Sequence, residues 1–421
     1  MQSSAVPNYF RATIIIAALF FVFGFVTWIN ATLIPFLKLA CELETDTQAF
    51  FVTTAFYMAY FFLAVPSSYI LKKTGFKNGM ALGLLIMAIG SLIFLPAANA
   101  RSFPLFLTGL FIQGTGLALL QTASNPYISI VGPIESAAKR ISIMGICNKV
   151  AGALSPLILG AIVLKDAGDL EKTILATTDI VQKNVLLDQL AERIIMPYIV
   201  MAIILIVLAL MVKKSSLPEI DIDAEESGPG KVKAKTSVFQ FPHLLLGVAC
   251  IFLYVGVEVM AGDAIGMYGR SIGMPLDKTK YFTTFTLLAM LAGYLVGIAT
   301  IPKYISQQTG LKMSAILGLI FSLGVYFTSG YTAITFIALL GLANALMWPA
   351  IFPLAISGLG RFTKIGSALL IMGIAGGAII PLIYGDLKER PSIGNNMAFL
   401  ICMLPCYAYI LYYSILGYKK K

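Results

Sequence analysis

The chain contains 421 residues, of which 58% are hydrophobic and 12% are charged, and its mean hydropathy is +0.88. Because soluble globular domains carry about 25% charged residues, this composition excludes an ordinary soluble protein and indicates many membrane-spanning helices. The net charge of +10 does not indicate nucleic-acid binding, because the basic residues cluster in short turns between apolar runs.

Twelve apolar runs follow one another along the chain, and each is long enough to cross a bilayer as a helix. They cover residues 12–37, 49–71, 78–97, 103–131, 138–164, 194–212, 242–269, 281–303, 311–328, 332–358, 364–385 and 395–417. Lys and Arg concentrate in alternate connections, such as 72–77, 139–140 and 213–214, whereas the intervening connections are more acidic. The positive-inside rule therefore predicts that both termini are cytoplasmic.

A long polar segment divides the twelve runs into two groups of six. Its Pro, Gly, Ser and mixed charges are typical of a linker. We therefore predict an N-terminal half at 1–213, a cytoplasmic linker at 214–240 and a C-terminal half at 241–421. A second polar segment, about 165–193, lies on the opposite side, and its apolar spacing favours a short interfacial helix.

The two halves share two short motifs at corresponding places. Residues 72–77 (KKTGFK) match 307–312 (QQTGLK), and residues 143–146 (IMGI) match 371–374 (IMGI). Two six-helix halves related by an axis along the membrane normal describe the major facilitator fold, with a substrate site between the halves near mid-membrane. The predicted fold class is therefore an all-α polytopic membrane protein with the major facilitator fold.

A specific family resemblance lies in the fourth and fifth runs. Residues 116–127 (GLALLQTASNPY), followed by Val131-Gly132-Pro133 and Arg140, resemble the signature of the fucose–galactose–glucose symporter family, a branch of the major facilitators. Further segments resemble the first, seventh, tenth and eleventh helices of that family: 25–35, 254–258, 348–352 and 366–368. The seventh-helix match is to the glucose/galactose branch, and the resemblance covers nearly the whole chain.

The resemblance implies a multi-pass carrier of the plasma membrane, here the bacterial inner membrane, that imports a monosaccharide together with Na⁺ or H⁺. A hexose such as glucose, galactose or mannose is the implied substrate, with no cofactor besides the coupling cation. Membrane lipid is the other expected partner, nucleic acid is not, and a monomer is predicted. The proton-coupled fucose carriers of this family have acids at the positions of Ala31 and Gln121, so a proton route through those two acids is absent here.

Amides mark the fourth run as a candidate sugar-contacting helix. Gln121 and Asn125 are four residues apart and share one helix face, and Gln113 lies eight residues earlier on the same side. An amide supplies both donors and acceptors for sugar hydroxyls. The alternative is hydrogen bonding between helices, which is common for Asn and Gln in membranes.

Lys149 lies in the middle of the fifth run, where a charge costs roughly 2.5–3.5 kcal/mol on insertion scales. It belongs to a stripe of small and polar residues with helical spacing: Gly145, Asn148, Lys149, Gly152 and Pro156. The basic end of this run is about 15 Å away along a helix, which is too far for the lysine to reach the headgroups. We therefore expect Lys149, with Asn148, to face a cavity or a partner.

Two acids in the seventh run are the candidate partners of this lysine. Glu258 and Asp263 are five residues apart, so they diverge by about 140° on an ideal helix. Nearby glycines would let the helix break and bring both acids inward: Gly256, Gly262 and Gly266. When the halves are aligned on Gly24 and Gly256, Asp263 falls opposite Ala31.

The two tryptophans of the chain, Trp28 and Trp348, are candidate aromatic plates for the apolar face of a sugar, and Asn344 lies four residues before Trp348. The substrate-binding candidates are thus Trp28, Asn30, Gln113, Gln121, Asn125, Asn148, Glu258, Asn344 and Trp348. The coupling candidates are Lys149, Glu258 and Asp263.

Three coupling schemes remain open. In the first, Lys149 pairs with Glu258 or Asp263, and cation or sugar binding reorganises the pair. In the second, a sodium ion binds near Asp263, Asn30 and Thr27. In the third, Lys149 is a fixed charge of an uncoupled uniporter.

Other function classes fit the sequence less well. A drug/proton antiporter would use the same fold, but its cavity is usually more apolar. An enzyme is not indicated, because no nucleophile–base set, nucleotide loop or closely spaced metal-ligand motif is present. No catalytic residue is therefore predicted, and a thermal-protection panel of sugars would separate carrier from antiporter.

Overall fold

The computed structural model describes residues 9–130, 137–215, 217, 237–301 and 303–420. Within these residues the chain is helical and contains no β-strand, which confirms the all-α fold class. Most of the predicted linker and the Val131–Pro133 part of the family motif lie outside the described residues.

The first half of the described chain contains eight helices. They are α1 (Tyr9–Trp28), α2 (Asn30–Ala40), α3 (Asp46–Asn99), α4 (Phe103–Ile130), α5 (Ala137–Val163), α6 (Ala167–Ala176), α7 (Ile180–Glu192) and α8 (Ile195–Lys214). The 54-residue α3 comprises the predicted second and third runs. The two runs meet at Gly75, whose φ of 76° lies in the left-handed region that favours glycine.

The second half of the described chain contains ten helices. They are α9 (Pro242–Gly262), α10 (Ile265–Ser271), α11 (Leu276–Thr279), α12 (Phe282–Thr300), α13 (Gln307–Phe327), α14 (Gly330–Asn344), α15 (Met347–Ile356), α16 (Thr363–Met372), α17 (Gly376–Glu389) and α18 (Asn395–Ile415). Within the described residues, eleven segments are long and apolar enough to cross a membrane. Because α3 consists of two such segments joined at Gly75, these residues contain the predicted twelve membrane-spanning segments.

Four of the predicted runs are interrupted rather than continuous. The interruptions separate α1 from α2, α9 from α10, α14 from α15 and α16 from α17. The sequence indicated only the one in the seventh run, which falls at Asp263 and Ala264. In the tenth run, Pro349 has no N–H to donate to the carbonyl of Ala345. Ala345 is one of the two residues that separate α14 from α15.

Close helix contacts repeat between the halves. A Cβ on Gly24 of α1 would lie 1.9 Å from the carbonyl oxygen of Asn148 on α5, and a Cβ on Gly376 of α17 would lie 1.7 Å from that of Phe252 on α9. When the two halves are aligned on the shared IMGI motif, Asn148 falls opposite Gly376. Two helix pairs therefore pack backbone to backbone at equivalent places, which only glycine permits.

The second polar segment forms two short helices, α6 and α7, rather than the single helix suggested by its spacing. It lies at the end of the bundle opposite the termini, called the far end below. From α7, Asn184 and Asp188 bind Arg101 of the first half at 2.8 and 2.7 Å. From the α6 side, Glu171 pairs with Arg270 of the second half. The segment thus bridges both halves.

Candidate functional site

Lys149 of α5 and Glu258 of α9 form a salt bridge between the two halves. The Nζ–Oε1 distance is 2.9 Å, and the side chains are only 9% and 12% exposed. Glu258 is therefore the carboxylate that compensates the lysine, and Asp263 is not. A buried charge of either sign is tolerated here because the other neutralises it.

The indole of Trp28 lies beside this pair and touches both halves. The Nζ of Lys149 is 4.8 Å from the centre of the Trp28 ring, a cation–π distance. A Cβ on Gly152 of α5 would lie 2.3 Å from the indole, and a Cβ on Gly262 of α9 would lie 2.1 Å from it. The two glycines therefore create the slot in which Trp28 sits.

Three tyrosines surround Glu258, and the sequence prediction included none of them as a site residue. Tyr254 lies one turn earlier on α9, with its hydroxyl within reach of the carboxylate. Tyr294 of α12 and Tyr407 of α18 lie close enough to interact with the charge of Glu258. The four-residue spacing from Tyr254 to Glu258 was a usable signal, whereas nothing local marked the other two.

These tyrosines connect Glu258 with two predicted residues of the tenth run. The Tyr407 hydroxyl donates to Oδ1 of Asn344 at 2.8 Å. The ring centre of Tyr254 is 6.4 Å from that of Trp348, which stacks on Phe352 at 5.6 Å. Between Asn344 and Trp348 the regular helix is interrupted at residues 345–346.

Asp263 lies in the interruption between α9 and α10 and is 1% exposed. Neither of its carboxylate oxygens has a hydrogen-bond partner within the described residues, although the Tyr57 hydroxyl of α3 faces it. Two threonines of α12 bind the carbonyls released at the end of α9. Thr283 donates to Gly262 at 2.7 Å, and Thr286 donates to Ala261 at 2.8 Å.

The amides of α4 and α5 contact neighbouring helices of the first half. Gln121 donates to the Tyr60 hydroxyl at 3.0 Å, and Asn125 is half-buried one turn further along the continuous α4. Asn148 donates to the carbonyl of Phe20 at 3.4 Å. Gln113 donates to Ser91 of α3 at 2.7 Å, so it joins two helices of the same half.

Asn30 and Thr27 lie on either side of Trp28. Asn30 is fully buried, and within the described residues neither polar atom of its side chain has a partner. Thr27 is half-buried. No group of three or more His, Cys, Asp or Glu in the described part of the chain could hold a metal ion.

The far end is joined across the halves near the start of α3. Glu389 of α17 accepts from the backbone N–H groups of Asp46 and Thr47 at 2.5 and 3.0 Å. Lys388 pairs with the Asp46 side chain. A carboxylate at a helix N-terminus satisfies free donors and interacts favourably with the helix dipole.

A second set of bonds joins the halves on the other flank of the far end. Lys280 donates to the carbonyl of Leu164 at 2.8 Å, and Gly168 donates to Asp277 at 3.1 Å. Among the described residues, no ion pair joins the halves at the opposite end, where the termini lie. The inter-half polar contacts therefore concentrate at the centre and the far end.

Comparisons with known proteins agree with this architecture. Residues 16–383 match the profile of the Major Facilitator Superfamily. A glucose/galactose transporter of Brucella abortus is 33% identical over 100% of this chain and 97% of that protein. The L-fucose-proton symporter of Escherichia coli is 26% identical over 95% of this chain and 91% of that protein.

A crystal structure of the E. coli fucose:proton symporter has the same fold. It superposes with a TM-score of 0.76 at 24% identity and covers 97% of this chain and 99% of that chain. The relatives are transporters, which confirms the expectation of a multi-pass protein of the bacterial inner membrane that is not an enzyme. The chain belongs to the Major Facilitator Superfamily.

Proposed function

We propose that this chain imports a monosaccharide by alternating access, with a hexose such as glucose, galactose or mannose as substrate and Na⁺ or H⁺ as the coupling ion. The observation that carries the proposal is the buried Lys149–Glu258 pair, which bridges the halves beside Trp28. The similarity to a glucose/galactose transporter over the whole chain supports the choice of substrate.

The chemistry of the pair suits a sugar between the halves. A sugar hydroxyl both donates and accepts, so it can replace part of the Lys149–Glu258 interaction without leaving either charge unsatisfied. The flat indole of Trp28 offers a surface for the apolar C–H face of a pyranose. Because the two charges come from different halves, a ligand that binds both will favour one relative arrangement of the halves over the other.

The amides complete the candidate binding surface in the first half. Gln121 and Asn125 share one face of α4, and the Gln121–Tyr60 bond is a neutral one that a sugar hydroxyl can replace at small cost. Trp348 and Asn344 are the corresponding candidates in the second half. Gln113 is the weakest of the candidates, since its amide already joins α3 to α4.

Hexose uptake into proteoliposomes under imposed sodium or proton gradients tests the proposal. Wild-type protein should accumulate hexose under one of the two gradients, and Lys149→Ala should not. Lys172→Ala is the matched control, because Lys172 is 81% exposed on α6. Uptake that does not depend on either gradient would support an uncoupled uniporter. If no hexose raises the unfolding temperature of the protein, the drug/proton antiporter would be supported instead.

A further inference from the structure

We infer that Asp263 is the proton-carrying carboxyl of this transporter and holds a proton in the conformation described here, while Glu258 pairs with Lys149. This inference rests on the proposed sugar-transport function. It assigns different roles to two acids that lie five residues apart on neighbouring parts of one broken helix.

The distribution of charge around Asp263 is the first argument. The titratable groups that face it are Glu258 of its own helix, Lys149 of α5 and Tyr57 of α3. On α12, the uncharged Thr283 and Thr286 donate their hydroxyls to the backbone carbonyls of Gly262 and Ala261. Among the described residues, the cation that interacts with Asp263 is Lys149, which is already paired with Glu258 at 2.9 Å.

Burial makes an ionised Asp263 costly. The residue is 1% exposed, neither oxygen has a well-aligned hydrogen bond within the described residues, and the neutral Tyr57 hydroxyl is the polar group within reach. A buried carboxylate without a cation of its own is strongly disfavoured, so the group becomes neutral by binding a proton instead. Of the carboxyl groups in the described part of the chain, Asp263 is the one in which both oxygens are buried without a partner.

The broken helix favours a proton over a sodium ion at this place. Sodium would need several oxygen ligands, and carbonyls released by a helix break are the usual source. Here the carbonyls of Gly262 and Ala261 already accept from Thr283 and Thr286. A proton needs only the carboxyl group itself.

The step that follows is a simple protonation. The Asp263 carboxylate takes up one proton from the side to which the site is open, forms a neutral carboxylic acid, and returns the proton as carboxylate on the other side. No bond to the sugar forms or breaks. Asp263 lies between α9 and α10, at the C-terminal end of α9.

Sugar-driven proton movement in proteoliposomes containing the purified full chain tests the inference, with glucose, galactose and mannose as probes. In the wild type, hexose added without sodium should raise the external pH. Asp263→Asn, which has the shape of a protonated carboxyl, should abolish this change and lower the inside-to-outside sugar ratio to about one. Asp169→Asn is the matched control, because Asp169 is 88% exposed, and it should behave as the wild type.

Proton movement that persists in Asp263→Asn would overturn the assignment, and so would wild-type uptake that requires sodium and moves no protons. If the Asn variant does not fold, Asp263→Glu should keep proton movement with a shifted pH dependence, and an unshifted dependence would contradict the role. Failure of the proposed function is distinguishable, because then no hexose binds or enters with wild-type protein under any gradient.

Discussion

Lys149 and Glu258 neutralise each other's charge at a buried position. Either charge alone would lie in a site that is about nine-tenths buried, whereas the pair is neutral and held at 2.9 Å. The sequence identified the lysine and restricted its partner to two acids. It did not choose between them, because the choice depends on where α9 ends and which acid remains on the regular helix.

Removing one partner should therefore cost much more stability than removing both. We expect Lys149→Met or Glu258→Gln alone to lower the free energy of unfolding by about 3–5 kcal/mol, because one buried charge is left unpaired. The double variant should recover most of this loss but remain inactive in transport. Thermal unfolding of the three purified variants measures the effect, and additive losses would show that the pair is not coupled.

The glycines around Trp28 give a second prediction at this scale. Gly152→Ala and Gly262→Ala should each displace the indole, since the new Cβ would lie 2.3 or 2.1 Å from it. We expect a loss of about 1–3 kcal/mol in stability and weaker hexose binding. Gly160→Ala is the control, because its nearest neighbouring atoms lie 3.9 Å from the Cβ position. Equal effects at all three glycines would contradict the proposed slot.

At the scale of elements, the interruptions define the site. Helices end at Trp28, directly before Asp263 and at Asn344, so three candidate residues lie at helix ends. Sequence reasoning found the break at Asp263 from its glycines. It missed the break after Asn344, because the local sequence is uniformly apolar and only Pro349 indicates an interrupted hydrogen-bond ladder.

The threonines of α12 should stabilise the break in α9. Thr286→Val removes the hydroxyl that binds the Ala261 carbonyl but keeps the shape of the side chain. We expect a loss of about 1–2 kcal/mol, because a buried carbonyl is left with one partner fewer. Thr335→Val is the control, since its exposed hydroxyl binds only Tyr331 of its own helix. Unfolding temperatures that fall equally in both variants would contradict this role.

Glu389 should hold the far end together through the start of α3. We expect Glu389→Gln to weaken the contact, because the helix N-terminus loses an anionic acceptor worth about 0.3–1 kcal/mol. The reporter is Cys41, which lies in the connection between α2 and α3. Burial raises the pKa of its thiol to about 11. Alkylation of Cys41 should be slow at neutral pH, rise with pH toward 11, and become faster in the variant.

This experiment needs a background in which the other four cysteines are replaced by alanine. Arg390→Gln is the matched control, because its exposed side chain pairs only with Asp386 of the same helix end. An alkylation rate that does not change in Glu389→Gln would argue against its role in closing the far end.

At the scale of the whole molecule, two similar halves meet around the buried Lys149–Glu258 pair. Hydrophobic runs, basic connections and the repeated IMGI motif were enough to predict the fold class, because a helix in lipid must satisfy its own backbone and fill the bilayer thickness. The site was harder to predict. Tyr294 and Tyr407 lie in apolar helices with no local signal, and only the packing of helices within the second half brings them near Glu258.

Hexose uptake in proteoliposomes under an imposed proton gradient, compared between wild type and Lys149→Ala, tests the central claim most directly. The transporter proposed here should accumulate at least one hexose against its concentration gradient in the wild type, and the variant should accumulate none. Wild-type protein that neither binds nor moves any hexose under any gradient would contradict the proposal.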